Sequence, residues 1–435
     1  MLRRIDLRGR APADVEIPRP RVAEEPPLAA VREIIAEVRS GGDAALRALT
    51  RRFDRAVIDD LRIPPEACAA ALSALAPDLR AAMAVAGANI EAYHRAQLHD
   101  GATSDRDGIR VREIRRAVDR AGCYIPGGQA PLLSTVLMTA VPARVAGVAE
   151  IVVCTPPRPD GTVAPQLLAA AALAGVDEVY RVGGAQAIAA MAYGTESIRP
   201  VDVIVGPGNV YVSLAKREVA GVVGVPSSFA GPSEVVVVAD AEVTAEYAAI
   251  DLMVQVEHGP DSVAWLVTWD ADVADRVVAA VAELLTVAPR RDVIAANLEA
   301  NAFVAIVDGP AQAMAVANLI APEHLELMTT DPESLVPLVR NAGAVFCGAF
   351  APASVGDYLA GPNHVLPTYG SARWAGALRV DDFVKHIHVV SLDEEALERA
   401  APLVAALADA EGLATHAESV RIRGRRRGAG QAVAS

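Results

Sequence analysis

The sequence predicts an α/β fold: parallel sheets covered by helices in two nucleotide-fold-like modules, with small N- and C-terminal helical extensions. Two patterns carry that expectation. From about Val145, short β-branched runs alternate with Ala-rich helical windows, as successive βαβ units require. Of the 435 residues, 52% are hydrophobic but only 4% aromatic, so Ala, Val, Leu and Ile must fill the core. The length also leaves room for two or more domains of roughly 100–150 residues.

The elements follow in order. The N-terminal third predicts helices over Pro27–Ser40, Asp43–Phe53, Pro65–Leu75 and Pro77–His94, where apolar residues recur at three- and four-residue spacing. Gly41-Gly42 separates the first two, and Asp43 is placed to cap the second. A first alternating series predicts strand Glu150–Cys154, helix Pro165–Ala174 stopped by Gly175, strand Glu178–Val182, helix Ala185–Ala192 and strand Val201–Val205. A second predicts strand Glu234–Val238, helix Ala245–Glu257, strand Val263–Thr268, helix Ala271–Leu285 and strand Phe303–Val307. Helices Ala311–Ile320 and Pro332–Arg340 and strand Ala344–Cys347 continue it. Beyond Val380 the chain turns helical again, over Glu394–Ala410. Ligands of such folds gather at the carboxyl ends of strands.

Composition excludes several classes. Charged residues make up 22%, which with the apolar content rules out a disordered or collagen-like chain. No uninterrupted apolar stretch approaches the roughly 20 residues of a spanning helix. No apolar segment follows the basic residues at the N-terminus, so a soluble cytoplasmic protein with no membrane partner is expected. The net charge of −14 argues against a nucleic-acid partner, and the basic run Arg421–Arg427 reads as a solvated tail. Cys68, Cys123, Cys154 and Cys347 are too scattered for a C-x-x-C site. Nothing near Cys154 would lower its pKa, so a structural thiol is favoured over a nucleophile.

Three glycine loops near strand ends point to a bound cofactor: Tyr124-Ile-Pro-Gly127-Gly128, Gly183-Gly184-Ala-Gln186 and Gly206-Pro-Gly208-Asn209. The last follows an apolar strand and precedes a helix, as a phosphate cradle does. Yet the G-x-G-x-x-G fingerprint fails, because Tyr211 stands at its third glycine. A polar cluster is sharper. Gln255 and His258 are three residues apart where a helix meets a Gly-Pro stop, so both face one side of its last turn. They are candidate metal ligands, although the segment alone favours a capping amide and an imidazole bonded to the last carbonyls. Asp357 lies in a Gly-containing loop and His416 in an acidic helical stretch; alone, each could be surface decoration. Glu323-His324 sets a carboxylate beside an imidazole, an acid/base pair or simply first-turn residues after Pro322. His386 and His388 fall on one exposed face of a strand-like alternation.

Together these segments resemble the histidinol dehydrogenase family, almost end to end. The matching motifs are Tyr124-Ile-Pro-Gly-Gly-Gln-Ala-Pro-Leu, Ser134-Thr-Val-Leu-Met, Gly183-Gly-Ala-Gln-Ala-Ile-Ala-Ala, Gly206-Pro-Gly-Asn and Ala230-Gly-Pro-Ser-Glu-Val. Further along come Gln255-Val-Glu-His-Gly-Pro-Asp-Ser, Pro322-Glu-His-Leu, Gly356-Asp-Tyr and Asn363-His-Val-Leu-Pro-Thr. The resemblance implies two incomplete Rossmann-like modules and oxidation of L-histidinol to L-histidine through a retained aldehyde, with two hydrides passed to NAD. It implies one zinc ion per subunit, held by Gln255, His258, Asp357 and His416. It places Ser233, His324, Glu411 and His416 against the substrate, which the metal ligands also touch, with His364 a further contact. Tyr124, Gln186 and Asn209 match the NAD-contacting positions, His324 the base of both oxidations and Glu323 the group that activates water for the second.

The resemblance further implies an intertwined homodimer in which Glu411 and His416 serve the partner's site. The expected division is an extension over 1–20, a discontinuous main domain over 21–122 and 233–378, an inserted NAD-contacting domain over 123–232, and a C-terminal extension over 379–435. Other substrates or classes fit less well. Relatives acting on other small polar alcohols would lack the grip on imidazole and amine that Glu411, His416, Ser233 and His364 supply. A zinc hydrolase would leave the Gly183–Gln186 and Gly206–Asn209 loops without a task. A non-catalytic binding module has no use for a full metal and base set.

Overall fold

The computed structural model describes residues 2–11, 14–18, 27–127, 131–226, 231–257, 259 and 261–431, with side chains through Arg423. The chain opens with strand β1 (Arg3–Asp6), followed by helix α1 (Leu28–Phe53), β2 (Arg62–Ile63), α2 (Pro65–Ser73) and α3 (Pro77–Arg95). A hairpin, β3 (Thr103–Arg106) and β4 (Ile109–Ala117), precedes the first alternating series. That series is β5 (Arg120–Tyr124), α4 (Leu133–Ala146), β6 (Glu150–Cys154), α5 (Pro165–Leu173), β7 (Glu178–Tyr180), α6 (Gly184–Tyr193), β8 (Val203–Val205) and α7 (Val210–Val219). The second begins with β9 (Glu234–Ala239), α8 (Ala245–Val256), β10 (Val263–Thr268), α9 (Ala271–Leu285), α10 (Arg291–Asn301) and β11 (Ala302–Ile306). It ends with α11 (Pro310–Ile320), β12 (His324–Met328), β13 (Ala344–Cys347) and α12 (Ala353–Tyr358). Strand β14 (Val384–Leu392) and helices α13 (Glu394–Ala410) and α14 (Ala414–Gln431) complete the chain.

The two series build two sheets with related strand orders. The first is β2-β7-β6-β5-β8, parallel except for β2. The second is β1-β11-β10-β9-β12-β13 and parallel throughout. In each, three successive strands step outward and the fourth returns to the other side of the first, the nucleotide-fold arrangement with a crevice where the order reverses. These sheets and their helices form one compact unit, 1–97 with 118–383. The second unit, Leu98–Ala117 with Val384–Ser435, holds the antiparallel sheet β14-β4-β3 and helices α13 and α14.

The strand sequences dictate the layering. In β9, Glu234-Val-Val-Val-Val-Ala239, every residue is buried, as a parallel strand covered on both faces must be. Val235 and Val237 pack under α8 and α9, while Val236 and Val238 pack under α11. Burying each such valine contributes about 1.5–3 kcal/mol. Trp265 and Phe303, paired across β10 and β11, stack at 4.4 Å and supply rare aromatic bulk. Elsewhere alanine lets helices lie close to the sheet: Ala185, Ala187, Ala189 and Ala190 of α6 are fully buried.

Two expectations need correction, although Gly41-Gly42 separates two helical stretches within α1 as expected, Gly42 taking φ 53°, ψ −135° at the kink between them. A Cβ there would strike the Glu196 carboxylate, whose Oε2 accepts from Asp43 N at 2.7 Å. Asp43 therefore caps nothing; its own carboxylate turns to the backbone N–H and hydroxyl of Ser197. The helix expected over Pro332–Arg340 shrinks to a single 3-10 turn, Val336–Leu338, because Pro337 lacks an N–H and would clash with the preceding turn.

Candidate active site

The second sheet gathers the acid/base residues at the amino ends of β9 and β12, the opposite edge from the one expected. The cause is the connection: α8 runs back from the carboxyl end of β9, so Gln255 in its last turn arrives beside the first residue of β12, His324. The His324 Nδ1–H donates to Oε1 of Gln255 at 3.0 Å, and Nε2 faces Oδ1 of Asp357 at 3.6 Å. Glu323, just before the strand, is buried; its Oε2 accepts from Glu234 N at 3.2 Å and its carboxylate also accepts from the Ser233 hydroxyl. At the carboxyl end of this sheet Asp240 Oδ2 accepts from Thr330 N at 2.6 Å and from its hydroxyl at 2.8 Å, which links β9 to the loop after β12.

Charge is concentrated here with little water. Burial raises the Glu323 carboxyl above its usual range, since a lone buried anion is unfavourable. Burial pulls the His324 imidazole down, but the charges of Glu323 and Asp357 outweigh it and hold it up at about 9. Asp357 is carried by α12, where Gly356 lets the backbone press on the Phe346 ring; a Cβ there would come within 2.5 Å. The Asp357 carbonyl accepts from His364 Nδ1–H at 2.9 Å, leaving Nε2 to accept from the Thr135 hydroxyl of α4 at 3.1 Å.

The first sheet carries a cavity of about 810 Å³ at its carboxyl edge, within the range of small-molecule sites. Tyr124, Gln186 and Asn209 all line it. The Tyr124 hydroxyl accepts from Gly184 N at 3.0 Å, and Asn209 caps α7 by accepting from Val212 N at 3.1 Å. Gly206 must be glycine: its φ is 104° and a Cβ would meet the Tyr124 carbonyl oxygen at 2.1 Å. Behind this loop, fully buried Lys216 donates to the Gly206 carbonyl, and burial brings its ammonium down to about 7. Burial pushes the Cys123 thiol up to about 12 and raises Cys154 further, so both are structural thiols.

The structure thus brings Ser233, Gln255, Glu323, His324, Asp357 and His364 into one neighbourhood and Tyr124, Gln186 and Asn209 around one cavity. His258 lies outside the described residues. Glu411 and His416 stand exposed in the second unit, His416 on α14. Among the described residues no cluster of three or more His, Cys, Asp or Glu side chains is placed to hold a metal. His386 and His388 share an exposed face of β14, as expected, with His386 Nδ1 3.1 Å from Glu113. Sequence reasoning passed over Asp251 and Glu326. Their only signal is position: Asp251 is one turn before Gln255 on α8, and Glu326 is two residues after His324 on the same strand face.

Two nucleotide-type sheets, one with a cavity at its carboxyl edge and the other with a buried imidazole–carboxylate pair, define an oxidoreductase of the dehydrogenase class. The sequence model of the histidinol dehydrogenase family matches residues 17–424. A histidinol dehydrogenase of Methanothermobacter thermautotrophicus is 44% identical over 408 residues, covering 94% of this chain and 96% of that protein. One from Gluconobacter oxydans is 47% identical over 396 residues, covering 90% and 92%. The crystal structure of histidinol dehydrogenase from Elizabethkingia anophelis superposes with a TM-score of 0.94 at 34% identity, covering 98% of this chain and 99% of that one. The chain belongs to the histidinol dehydrogenase family. No single helix among its described residues is long and apolar enough to cross a membrane.

Proposed function

We propose that the protein is a cytoplasmic, zinc-dependent enzyme that oxidises L-histidinol to L-histidine through L-histidinal, the last step of histidine biosynthesis, using NAD. The supporting observation is the placement of His324: Nδ1 is held by Gln255, and Nε2 makes no hydrogen bond among the described residues. Nε2 is therefore the atom able to take a proton from a substrate hydroxyl. NAD would accept the hydride released from the same carbon, and Tyr124, Gln186 and Asn209 would line its site.

The donors present fit a metal. Nε2 of Gln255 is buried without a hydrogen-bond partner among the described residues. The Gln255 oxygen, which accepts from His324 Nδ1–H with one lone pair, keeps a second that can serve a metal while the His324 proton stays on Nδ1 and Nε2 stays free to act as base. Gln255 and Asp357, with His258 and with His416 of the dimer mate, would form a nitrogen–oxygen set of borderline hardness suited to zinc. Zinc held there would take the substrate's imidazole and amine and cancel part of the Asp357 charge that keeps His324 protonated.

In the first oxidation His324 accepts the hydroxyl proton as the carbinol hydrogen leaves as hydride, giving the aldehyde. Glu323, held by Glu234 N and the Ser233 hydroxyl, then removes a proton from water as its oxygen adds to the aldehyde carbon, while His324 returns its proton to the aldehyde oxygen, giving a second carbinol and a neutral imidazole again. His324 takes a hydroxyl proton from this hydrate while the second hydride leaves, and the acid forms. Ser233, His364, Glu411 and His416 would orient the substrate, the last two from the partner in a homodimer. The domain division 1–20, 21–122 with 233–378, 123–232 and 379–435 belongs to the same proposal. The test is NADH absorbance with L-histidinol before and after chelation. Two equivalents of NADH per histidinol, lost on metal removal and restored by zinc, are expected; no NADH from metal-loaded enzyme would refute it.

A further inference from the structure

The segment between α12 and β14 is tied down at both ends and in the middle. Its ends meet α3 and the turn after it: Asn89 Nδ2 donates to the Leu359 carbonyl at 2.8 Å, and Val380 N donates to Oε1 of Gln97 at 3.0 Å. Its middle meets α4, the helix that follows the Tyr124–Gly127 loop of the first sheet. Pro142 inside α4 has no N–H, so the Met138 carbonyl lacks its helical donor. Buried Asn363 supplies one through Nδ2. One turn earlier on α4, the buried Thr135 hydroxyl meets His364 Nε2 at 3.1 Å.

His364 repairs a second orphan. Asp357 is the penultimate residue of the short helix α12, whose last carbonyls have no donor within the helix. His364 Nδ1 lies 2.9 Å from the Asp357 carbonyl oxygen. A carbonyl only accepts, so Nδ1 must carry hydrogen and Nε2 of the neutral ring must accept. Thr135 is the donor that selects this tautomer. Both ring nitrogens are thereby engaged within the chain, and His364 acts on the reaction through Asp357. The carboxylate of that residue stands 3.6 Å from His324 Nε2. Two hydrogen bonds therefore lead from a buried hydroxyl of α4 to the backbone that carries a carboxylate of the acid/base cluster.

We propose that Thr135 is a positioning residue of the oxidation: its hydroxyl fixes the His364 tautomer, His364 caps α12, and the cap holds the Asp357 carboxylate at His324. This assignment rests on the roles given above to Asp357 and His324 and adds a residue from outside their sheet. Removing the hydroxyl leaves Nε2 of His364 without its donor and frees the proton to move there, so the Asp357 carbonyl loses its own donor.

Two substitutions separate the hydroxyl from the shape of the side chain. Thr135→Val keeps the shape and removes the donor, and Thr135→Ser keeps the donor. Zinc dissociation constants are read by competition with a chelator on the purified full-length protein, without turnover; kcat and KM come from NADH formation with L-histidinol. Thr135→Val should weaken zinc about 10-fold and lower kcat about 10–100-fold, with the KM for NAD within about twofold of wild type. Thr135→Ser should recover most of both losses. In a His364→Asn background the amide N–H can still donate to the Asp357 carbonyl and no second ring nitrogen needs a donor. Adding Thr135→Val there should cost less than about twofold more. Wild-type zinc affinity and kcat in a folded Thr135→Val protein, equal losses in Thr135→Ser, or the full loss on the His364→Asn background would each overturn the assignment. So would a KM for NAD that rises as far as kcat falls, which would make Thr135 a wall of the cavity. A wild type that forms no NADH from L-histidinol would instead overturn the reading on which the assignment rests.

Discussion

The buried carboxyls of Asp251 and Glu326, the latter on the same strand face as His324, are neighbours that interact electrostatically, and two such carboxyls stay together only by sharing a proton. Burial and the neighbouring Asp251 charge raise Glu326 well above the usual carboxylate range, so the proton resides there at neutral pH. Oε1 of Glu326 meanwhile accepts from Ala353 N at 3.1 Å. One side chain on β12 thus joins α8, which carries Gln255, to α12, which carries Asp357. Glu326→Gln keeps both bonds with a neutral amide and should leave the melting temperature almost unchanged. Glu326→Leu strands Asp251 as a buried carboxylate and should destabilise by about 3–5 kcal/mol, seen in urea midpoints. Equal losses in the two variants would show that packing alone matters there.

His324→Asn should lower the rate with L-histidinol and with L-histidinal alike, by about 10²–10⁴. Glu323→Gln should slow the aldehyde step by that order and the alcohol step less. Single-turnover NADH formation from each substrate separates the two, and equal loss of both steps in Glu323→Gln would remove the assigned division of labour.

Lys216 makes stability depend on pH. Its folded value of about 7 lies below the ordinary 10.5, so between those limits the unfolded chain binds a proton that the folded chain does not. Stability should therefore rise with pH across that window, by up to about 1.4 kcal/mol per pH unit from this group, and the gain is lost as pH falls toward 7. Lys216→Met should flatten the dependence. Urea midpoints at pH 7.5 and pH 9.5 measure it, and parallel slopes in the two proteins would refute the attribution.

The dimer reading has its own test. Mixing His258→Ala and His416→Ala subunits should restore activity in heterodimers, because one of the two composite sites then has all its ligands. Verified subunit exchange with no recovery would place His416 in the same subunit's site.

Much of the fold was legible because both sheets are buried on two faces, which forces runs such as Glu234–Ala239 into the sequence. The hairpin of β3 and β4 was not read, since Ile-Arg-Val-Arg-Glu-Ile-Arg-Arg-Ala dilutes its alternation with charge, although Asp107-Gly108 is a favoured tight turn with both φ positive. Glu323 and His324 looked as much like a first helical turn as like an acid/base pair; only the parallel pairing of His324 with Val235 and Ala344 fixes them on a strand. The edge occupied by the cluster was misjudged because the usual rule concerns the carboxyl side, and a single sequence does not show that α8 returns Gln255 to the first residue of β12. Asp251 and Glu326 escaped notice because nothing in their local pattern reveals a partner 75 positions away.

While Asp240 and Thr330 fasten the carboxyl ends of β9 and β12 together, the polar residues of that sheet gather at its other edge. On the proposed reading the dinucleotide would occupy the cavity at the carboxyl edge of the first sheet and the alcohol the amino ends of β9 and β12, so each would have its own way in. Replacing a spent carrier would then leave the aldehyde in place between the two hydride departures.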